Sequence, residues 1–240
     1  MTHHIRAARW VEKDVVAAVI AEALQPTPLA AWLVSDEEQR GRVLTDVASI
    51  WVEHAMFFGD VYVTTDLAAA AVCFHRFRPL PPPVKYTARL AIAAGPHAER
   101  FIALDDIIAS RQPTHAHYHL ACLAVRPTHQ RAGRGRALLA YLRSRIDRID
   151  LPSWTVTLPA GQHLLAQIGY ETDHAVVRVI DSATMHPMSR SPHQHGETPS
   201  PPPARPADST TSPPARPVAP PPATRPPAPT ANTAATTAST

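Results

Sequence analysis

An apolar run, a loop with two glycines and a second apolar run follow one another between residues 117 and 149, and this succession most constrains the fold. The first run, HYHLACLAVRP, is typical of a buried strand that ends at Pro127. The second run, GRALLAYLRSRIDRI, places its apolar residues at helical spacing. A strand, a loop and a helix in succession, with similar signals elsewhere, predict a mixed α/β fold with one open sheet.

The segments around this unit alternate between helical and strand patterns. Ser35 and Glu38 match a capping box, so a long helix is expected to begin there and to run through Phe58. The segment QPTP at 25–28 is expected to end the first helix, which runs up to Leu24. We expect further helices at 11–24, 84–95, 98–110 and 162–169, and strands at 5–10, 60–64, 67–77, 153–158 and 170–180.

The end of the chain has a different composition. Residues 191–240 contain 15 of the 27 prolines, and alanine, serine and threonine make up most of the remainder. Such a segment cannot bury enough apolar surface to fold. We therefore expect one domain at 1–190 and a disordered Pro/Ala/Thr-rich tail at 191–240, which serves as a tether or as a ligand for a proline-recognising domain.

Charge and composition indicate which partners and which cellular location to expect. The net charge is only +3, which is weak support for anionic partners. The sequence has no run of 18 apolar residues and no hydrophobic leader, so we expect a soluble, cytoplasmic protein without membrane contact. Cys73 and Cys122 are expected to be buried, reduced thiols, and the absence of a zinc pattern predicts no metal.

Gly133 and Gly135 stand where the strand–loop–helix unit enters its helix. The first N–H groups of a helix lack intrahelical partners, and glycines would let a phosphate approach them. A kinase-type phosphate loop is excluded because Arg136 and Ala137 follow Gly135. A dinucleotide fingerprint is weak because Leu138 replaces the third glycine. A glycine-rich turn without any ligand remains the alternative.

The segment LAVRPTHQRAGRGRALL resembles the acetyl-coenzyme A (acetyl-CoA) motif of the GNAT superfamily of N-acyltransferases, V-x-P-x-x-Q-x-x-G-x-G. The hairpin VYVTTDLAAAAVCFH and the late segment LLAQIGYE extend the resemblance over most of residues 1–190. It implies a GNAT-like, mostly antiparallel central sheet flanked by helices, with acetyl-CoA as co-substrate. The layout is most similar to puromycin N-acetyltransferase-like bacterial members.

The resemblance also implies which residues bind the coenzyme. The backbone amides of Leu123 and Val125 would bind the thioester carbonyl and the pantetheine, and the following loop would bind the pyrophosphate. The loop residues are Gln130, Arg131, Ala132, Gly133, Arg134, Gly135 and Arg136. The three arginines are either additional phosphate ligands or a solvated basic face.

The sequence departs from the family at both usual proton-transfer positions. Ala121 occupies the place of a glutamate base, and Leu165 occupies the place of a tyrosine acid. Tyr170 follows Gly169, where the family has a core aromatic residue, so it replaces neither. Despite these two departures, the resemblance implies transfer of an acetyl group to a primary amine of a small molecule. The alternative is a catalytically impaired acyl-coenzyme A-binding sensor or partner protein.

His119 is the candidate base. Strand alternation would place residues 117, 119 and 121 on one face, with His119 about 7 Å from position 121. Histidine titrates in the range where an amine must lose its proton, although a strand histidine is more often simply packed. At the end of the hairpin, the side chains that either line the acceptor side or are solvated are His75, Arg76 and Arg78.

Nucleic acid is an unlikely partner for the arginine-rich helix. Its later arginines are interleaved with Asp147 and Asp150, and no aromatic stacking platform accompanies them.

Overall fold

The computed structural model of the protein describes residues 3–173, 177–179 and 183–192. The helices are α1 (Lys13–Leu24), α2 (Pro28–Leu33), α3 (Glu37–Phe58), α4 (Tyr86–Ala94), α5 (Ala98–Arg111), α6 (Arg134–Ile149) and α7 (Pro159–Ala166). The strands are β1 (Ile5–Ala7), β2 (Gly59–Thr64), β3 (Ala69–Arg76), β4 (His117–Val125), β5 (Ser153–Thr157), β6 (Glu171–Thr172), β7 (Val177–Val179) and β8 (Ala183–Arg190).

The strands form one sheet in the order β1-β2-β3-β4-β5-β8-β6, and β7 pairs with β8 beside that path. Only β4 and β5 are parallel among these pairs of described strands. The prediction of a mixed, mostly antiparallel sheet flanked by helices is confirmed. Within the described part of the chain, no helix is both long and apolar enough to cross a bilayer.

Helices cover both faces of the sheet. On one face, α1 and α3 bury apolar side chains against Val72, Phe74 and Ala124. On the other face, α6 and α7 pack against residues that include Cys73 and Leu120. A further apolar cluster joins α2, α4 and α5 to the first of these faces. β4 and β5 therefore lie in the middle of the sheet, with helices covering both of its faces.

One predicted boundary in the amino-terminal half is wrong, and one helix was not predicted. The long helix α3 is capped by Asp36, whose Oδ1 accepts hydrogen bonds from the amides of Glu38 and Gln39, and not by Ser35. The segment QPTP ends the first helix as predicted, since α1 stops at Leu24, but the sequence analysis missed the short helix α2 that begins at its last residue. There Pro28 is the first helical residue, a position where its missing N–H costs nothing, and Thr27 caps the helix.

The prediction that the strand at 170–180 is the last one is wrong. The structure has the short strands β6 and β7 there, and the sequence analysis missed β8, which lies between β5 and β6. The sequence of β8, ATMHPMSR, includes Pro187, which cannot donate to the sheet but accepts a hydrogen bond from the Asp173 amide at 2.9 Å. Residues 193–240 lie outside the described part, so the disordered tail stays a prediction.

Candidate active site

β4 and β5 separate partway along their length. Their parallel pairing runs from Tyr118 opposite Ser153 to Leu120 opposite Thr155, where the Thr155 hydroxyl donates to the Leu120 carbonyl at 2.7 Å. β4 then continues to Val125 in register with β3 only. Residues 121–125 therefore present an edge that β5 does not pair, which we call the β4 open edge.

A bulge at Ala121 begins the open edge. Cys73 lies opposite Leu120 while Val72 lies opposite Cys122, so Ala121 is an additional residue in β4. A bulge bends a strand and shifts its side-chain alternation. His119 consequently shares a face with Cys122 and not with Ala121, which is exposed. The expectation that residues 117, 119 and 121 face one side is wrong for Ala121.

The backbone of the open edge offers hydrogen-bond donors. The Arg126 amide donates to the Ala68 carbonyl at 2.9 Å, on the side of β3. Because N–H groups alternate in direction along a strand, the amides of Leu123 and Val125 point to the opposite side. The Val125 carbonyl also points there, and it accepts a hydrogen bond from Gln130 Nε2 at 3.2 Å. Gln130 thus joins the loop to the end of the open edge.

Gly133 is the residue from which α6 begins. Its φ of +84° lies in the left-handed region, which favours glycine. A β-carbon there would lie within 4 Å of one atom only, His3 Nε2 at 3.9 Å. The space in front of the first turn of α6 is therefore open, and the partnerless amides at a helix start favour an anion.

Gly135 has a different role from Gly133. It is buried, and a β-carbon at this position would lie 3.1 Å from Leu164 Cδ2 and 3.5 Å from Val125 Cγ2. The missing side chain lets α6 pack closely on β4 and α7. The approach of a phosphate is thus a role that the geometry supports for Gly133, whereas Gly135 serves helix packing.

The three arginines of the loop are in different environments. Arg134 Nη2 lies 2.7 Å from Asp66 Oδ2, in the turn between β2 and β3, and its side chain is 16% exposed. Burial opposes ionisation of Asp66, but hydrogen bonds from Thr64, Arg134 and the Ala68 amide hold its pKa below the usual range. Arg131 and Arg136 are exposed. Their charges are better placed than that of Arg134 to meet a ligand.

His119 is buried in an aromatic environment. Its ring centroid lies 4.9 Å from that of Trp154 and 6.4 Å from that of Phe74. Its Nδ1 has no hydrogen-bond partner. Burial, with smaller contributions from Arg76 and His117, lowers the pKa of His119 to about 3. The imidazole is therefore neutral at physiological pH, with a free nitrogen.

The two positions that lack the family's proton-transfer groups are now placed. Ala121 lies at the bulge, and Leu165 is buried where α7 packs on α6. Tyr170 is buried in the same cluster, as expected of a core aromatic residue. Within the described ranges, no three histidine, cysteine or acidic side chains lie close enough to hold a metal ion.

Sequence reasoning missed the partners of several site residues. Asp66 lies between the two predicted strands of the hairpin, and no local signal links it to Arg134, 68 positions away. Trp154 stacks near His119 because β5 lies beside β4, which the order of elements along the chain does not reveal. Long-range pairing of this kind is set by the sheet topology.

Comparison with solved structures gives the class of fold. One neighbour, described as histone acetyltransferase HPA2 and related acetyltransferase, from Corynebacterium glutamicum, has a TM-score of 0.62 and 18% identity, over 80% of this chain and 97% of that one. Arylalkylamine N-acetyltransferase 2 from Aedes aegypti has a TM-score of 0.53 and 11% identity, over 80% and 99%. The mosquito arylalkylamine N-acetyltransferase-like protein 5b has a TM-score of 0.51 and 16% identity, over 78% and 99%.

These neighbours define a GNAT-like fold over about four fifths of this chain. The sequence matches no protein-family profile. It also matches no curated protein. The fold is thus recognised through its structure, in agreement with the resemblance carried by the motif around Gly133.

Proposed function

We propose that the protein transfers the acetyl group of acetyl-CoA to a primary amine of a small molecule. The observation that carries the proposal is the β4 open edge, which leads from the bulge at Ala121 to the open start of α6 at Gly133. Acetyl-CoA is an extended molecule with a thioester at one end of its pantetheine and a pyrophosphate at the other. It fits this path because the strand amides come first along it and the amides at the start of α6 come next.

The residues that would hold the coenzyme follow from this path. The amides of Leu123 and Val125 would bind the pantetheine as an additional strand would be bound. The loop from Gln130 to Arg136 would bind the pyrophosphate through backbone N–H groups, with Arg131 and Arg136 supplying positive charge. Arg134, which is paired with Asp66, would mainly hold the loop in place.

The coenzyme supplies an activated thioester, and the chain positions the reacting groups. Amides at the open edge would polarise the thioester carbonyl. A bond forms between the amine nitrogen and the carbonyl carbon while the bond from that carbon to sulfur breaks. Water would take the proton of the amine and would return one to the thiolate, because neither Ala121 nor Leu165 can do so.

We propose a limited role for His119, the candidate base. With a pKa near 3, it is too weakly basic to retain a proton at neutral pH. Its Nδ1 is buried and partnerless, and in the tautomer that carries the proton on Nε2 it would accept a hydrogen bond from a neutral amine brought against the ring. A separate proposal concerns the subgroup. Because the chain has two long amino-terminal helices and a helical segment after the hairpin, we group it with puromycin N-acetyltransferase-like proteins.

The test is a panel of primary amines with acetyl-CoA, in which release of free thiol and the mass of the product are followed. We expect release that depends on an amine, and loss of both release and coenzyme binding in Gly133→Val. Coenzyme binding without release for any amine would favour the alternative, an acyl-coenzyme A-binding protein without turnover. Absence of coenzyme binding would contradict both functions.

A further inference from the structure

We propose that the acceptor amine carries a carboxylate and that Arg76 binds this carboxylate on the face of the sheet that bears His119. The inference rests on the proposed acetyl transfer, since it names the class of acceptor for the same site. It arises from four side chains that the sheet brings together at the start of the β4–β5 opening: Phe74, Arg76, His119 and Trp154.

The register of three strands places these residues side by side. Phe74 lies opposite His119, and His119 lies opposite Trp154. Arg76 lies opposite His117, two residues from His119 along the same face. This spacing corresponds to roughly 7 Å. Because Phe74, His119 and Trp154 are buried and Arg76 is half-buried, an acceptor whose carboxylate binds Arg76 would extend its amine from this arginine towards His119.

Arg76 has a shielded positive charge without an anionic partner. It is half-buried, and its Nε is buried without a hydrogen bond. Among the ion pairs of the described residues, none includes Arg76. The other shielded arginines all have partners: Arg6, Arg89, Arg126, Arg134 and Arg190 pair with carboxylates, and Arg40 and Arg100 donate to backbone carbonyls. The contact of its guanidinium with the Phe74 ring, 5.6 Å away, offsets only part of the lost hydration.

The groups that face Arg76 cannot supply the missing negative charge. They are His54 from α3 and His117 and His119 from β4, and Arg76 helps to lower the pKa of each. His117 is already hydrogen-bonded, since its ring nitrogens contact the His115 carbonyl and the Gln112 amide. A ligand carboxylate would give the guanidinium the planar partner that it lacks.

The apolar surroundings favour an acceptor with a compact body between its two polar ends. Trp154 and Phe74 lie on either side of His119. Their low polarity would strengthen the contact between the guanidinium and a carboxylate. The same positive charge would disfavour the ammonium form of a bound amine, which must be neutral to react.

The experiment compares acceptor pairs that differ only in the carboxylate. The acids are 4-(aminomethyl)benzoate and 5-aminopentanoate, and each is paired with its carboxamide. Thiol release gives KM and kcat for the wild type, Arg76→Gln, Arg76→Lys and the control Arg78→Gln. Arg78 is an exposed neighbour whose guanidinium lies over the Phe77 ring, 5.8 Å away. Calorimetry with the same acids in the presence of coenzyme A measures binding without turnover.

We expect the wild type to prefer an acid over its amide by about tenfold or more, mainly through KM. Arg76→Gln should remove the preference without changing the affinity for acetyl-CoA, Arg76→Lys should restore part of it, and Arg78→Gln should keep it. Equal use of acid and amide, or a preference that survives in Arg76→Gln, would overturn the inference and leave the acetyl transfer standing. If no amine in the panel is acetylated, the inference is overturned when the acids show no binding that depends on Arg76.

Discussion

The guanidinium of Arg134 and the carboxylate of Asp66 join the first turn of α6 to the turn between β2 and β3, with Nε and Nη2 at 2.9 and 2.7 Å from Oδ2. The Ala68 amide also donates to Asp66, at 3.1 Å. The hairpin turn therefore helps to fix the position of the loop that carries Gly133. This assigns Arg134 a structural task that its sequence position does not suggest.

Arg134→Gln should therefore affect stability more than coenzyme binding. Because Asp66 is partly exposed, we expect a loss of about 1 kcal/mol or less in the free energy of unfolding, measured with urea. Calorimetry should show a larger loss of acetyl-CoA affinity in Arg136→Gln, whose side chain is exposed at the loop. A larger loss of affinity in Arg134→Gln, at unchanged stability, would show that Arg134 binds phosphate directly.

The two glycines should respond differently to substitution. Gly135→Ala should change the free energy of unfolding by no more than about 1 kcal/mol, because the helix propensity that alanine adds opposes the pressure of its β-carbon on Leu164. The double variant Gly135→Ala, Leu164→Ala should cost less than the sum of the two single changes. Urea titrations of all three variants measure this coupling.

Gly133→Asn should remain folded, because asparagine tolerates the left-handed region better than other residues with a side chain. Gly133→Val should lose acetyl-CoA binding and part of its stability. If Gly133→Val is folded and binds acetyl-CoA with unchanged affinity, the glycine serves only the turn.

The pH dependence of stability should reflect His119. The pKa of His119 is about 3 in the folded protein and 6.5 in the unfolded chain, so the unfolded state binds the proton first as the pH falls. The contribution of His119 to the free energy of unfolding is thus complete above pH 6.5. It falls by about 1.4 kcal/mol per pH unit as the pH decreases from 6.5 to 3. His119→Gln should lower this slope by about 1.4 kcal/mol per pH unit, which corresponds to one bound proton. An unchanged slope in His119→Gln would contradict a neutral, buried His119.

The strand β8 should mark the end of the folding unit. A chain that ends after residue 192 should fold and keep its thermal shift with acetyl-CoA, because the Pro-rich composition of the remainder predicts no contribution to a core. A chain that ends after residue 182 should lack a cooperative transition, since β8 pairs with β5, β6 and β7. In the full chain, Met188→Ala should cost about 2–5 kcal/mol because Met188 is fully buried. Calorimetric melting distinguishes these outcomes.

Local patterns were sufficient for the central unit. The apolar run of β4, the loop and the helical spacing of α6 lie where the sequence predicts them, because each signal is carried by consecutive residues. The strand β8 was missed because its threonine, serine and proline content is that of a loop. Its backbone pairs with β5, and its buried side chains pack in two apolar clusters with the helices, neither of which the sequence of β8 shows.

The details of the candidate site depend on contacts across the chain. The bulge at Ala121 results from a one-residue mismatch with β3, and such a mismatch leaves no mark in the sequence of β4. Similarly, Gly133 and Gly135 are alike in sequence and differ in backbone conformation and in what surrounds them. The motif therefore predicts the place of the site, and the tertiary neighbours determine the role of each residue.

The most direct test of the central claim is amide hydrogen exchange, followed by mass spectrometry with and without acetyl-CoA. The amides of Leu123 and Val125 lie on the open edge of β4, and the loop amides precede and begin α6, so both groups should exchange more slowly when the coenzyme is bound. We expect protection confined to peptides that cover residues 121–136, with little change in α3 or α5. Binding of acetyl-CoA without protection of residues 121–136 would contradict the proposed site.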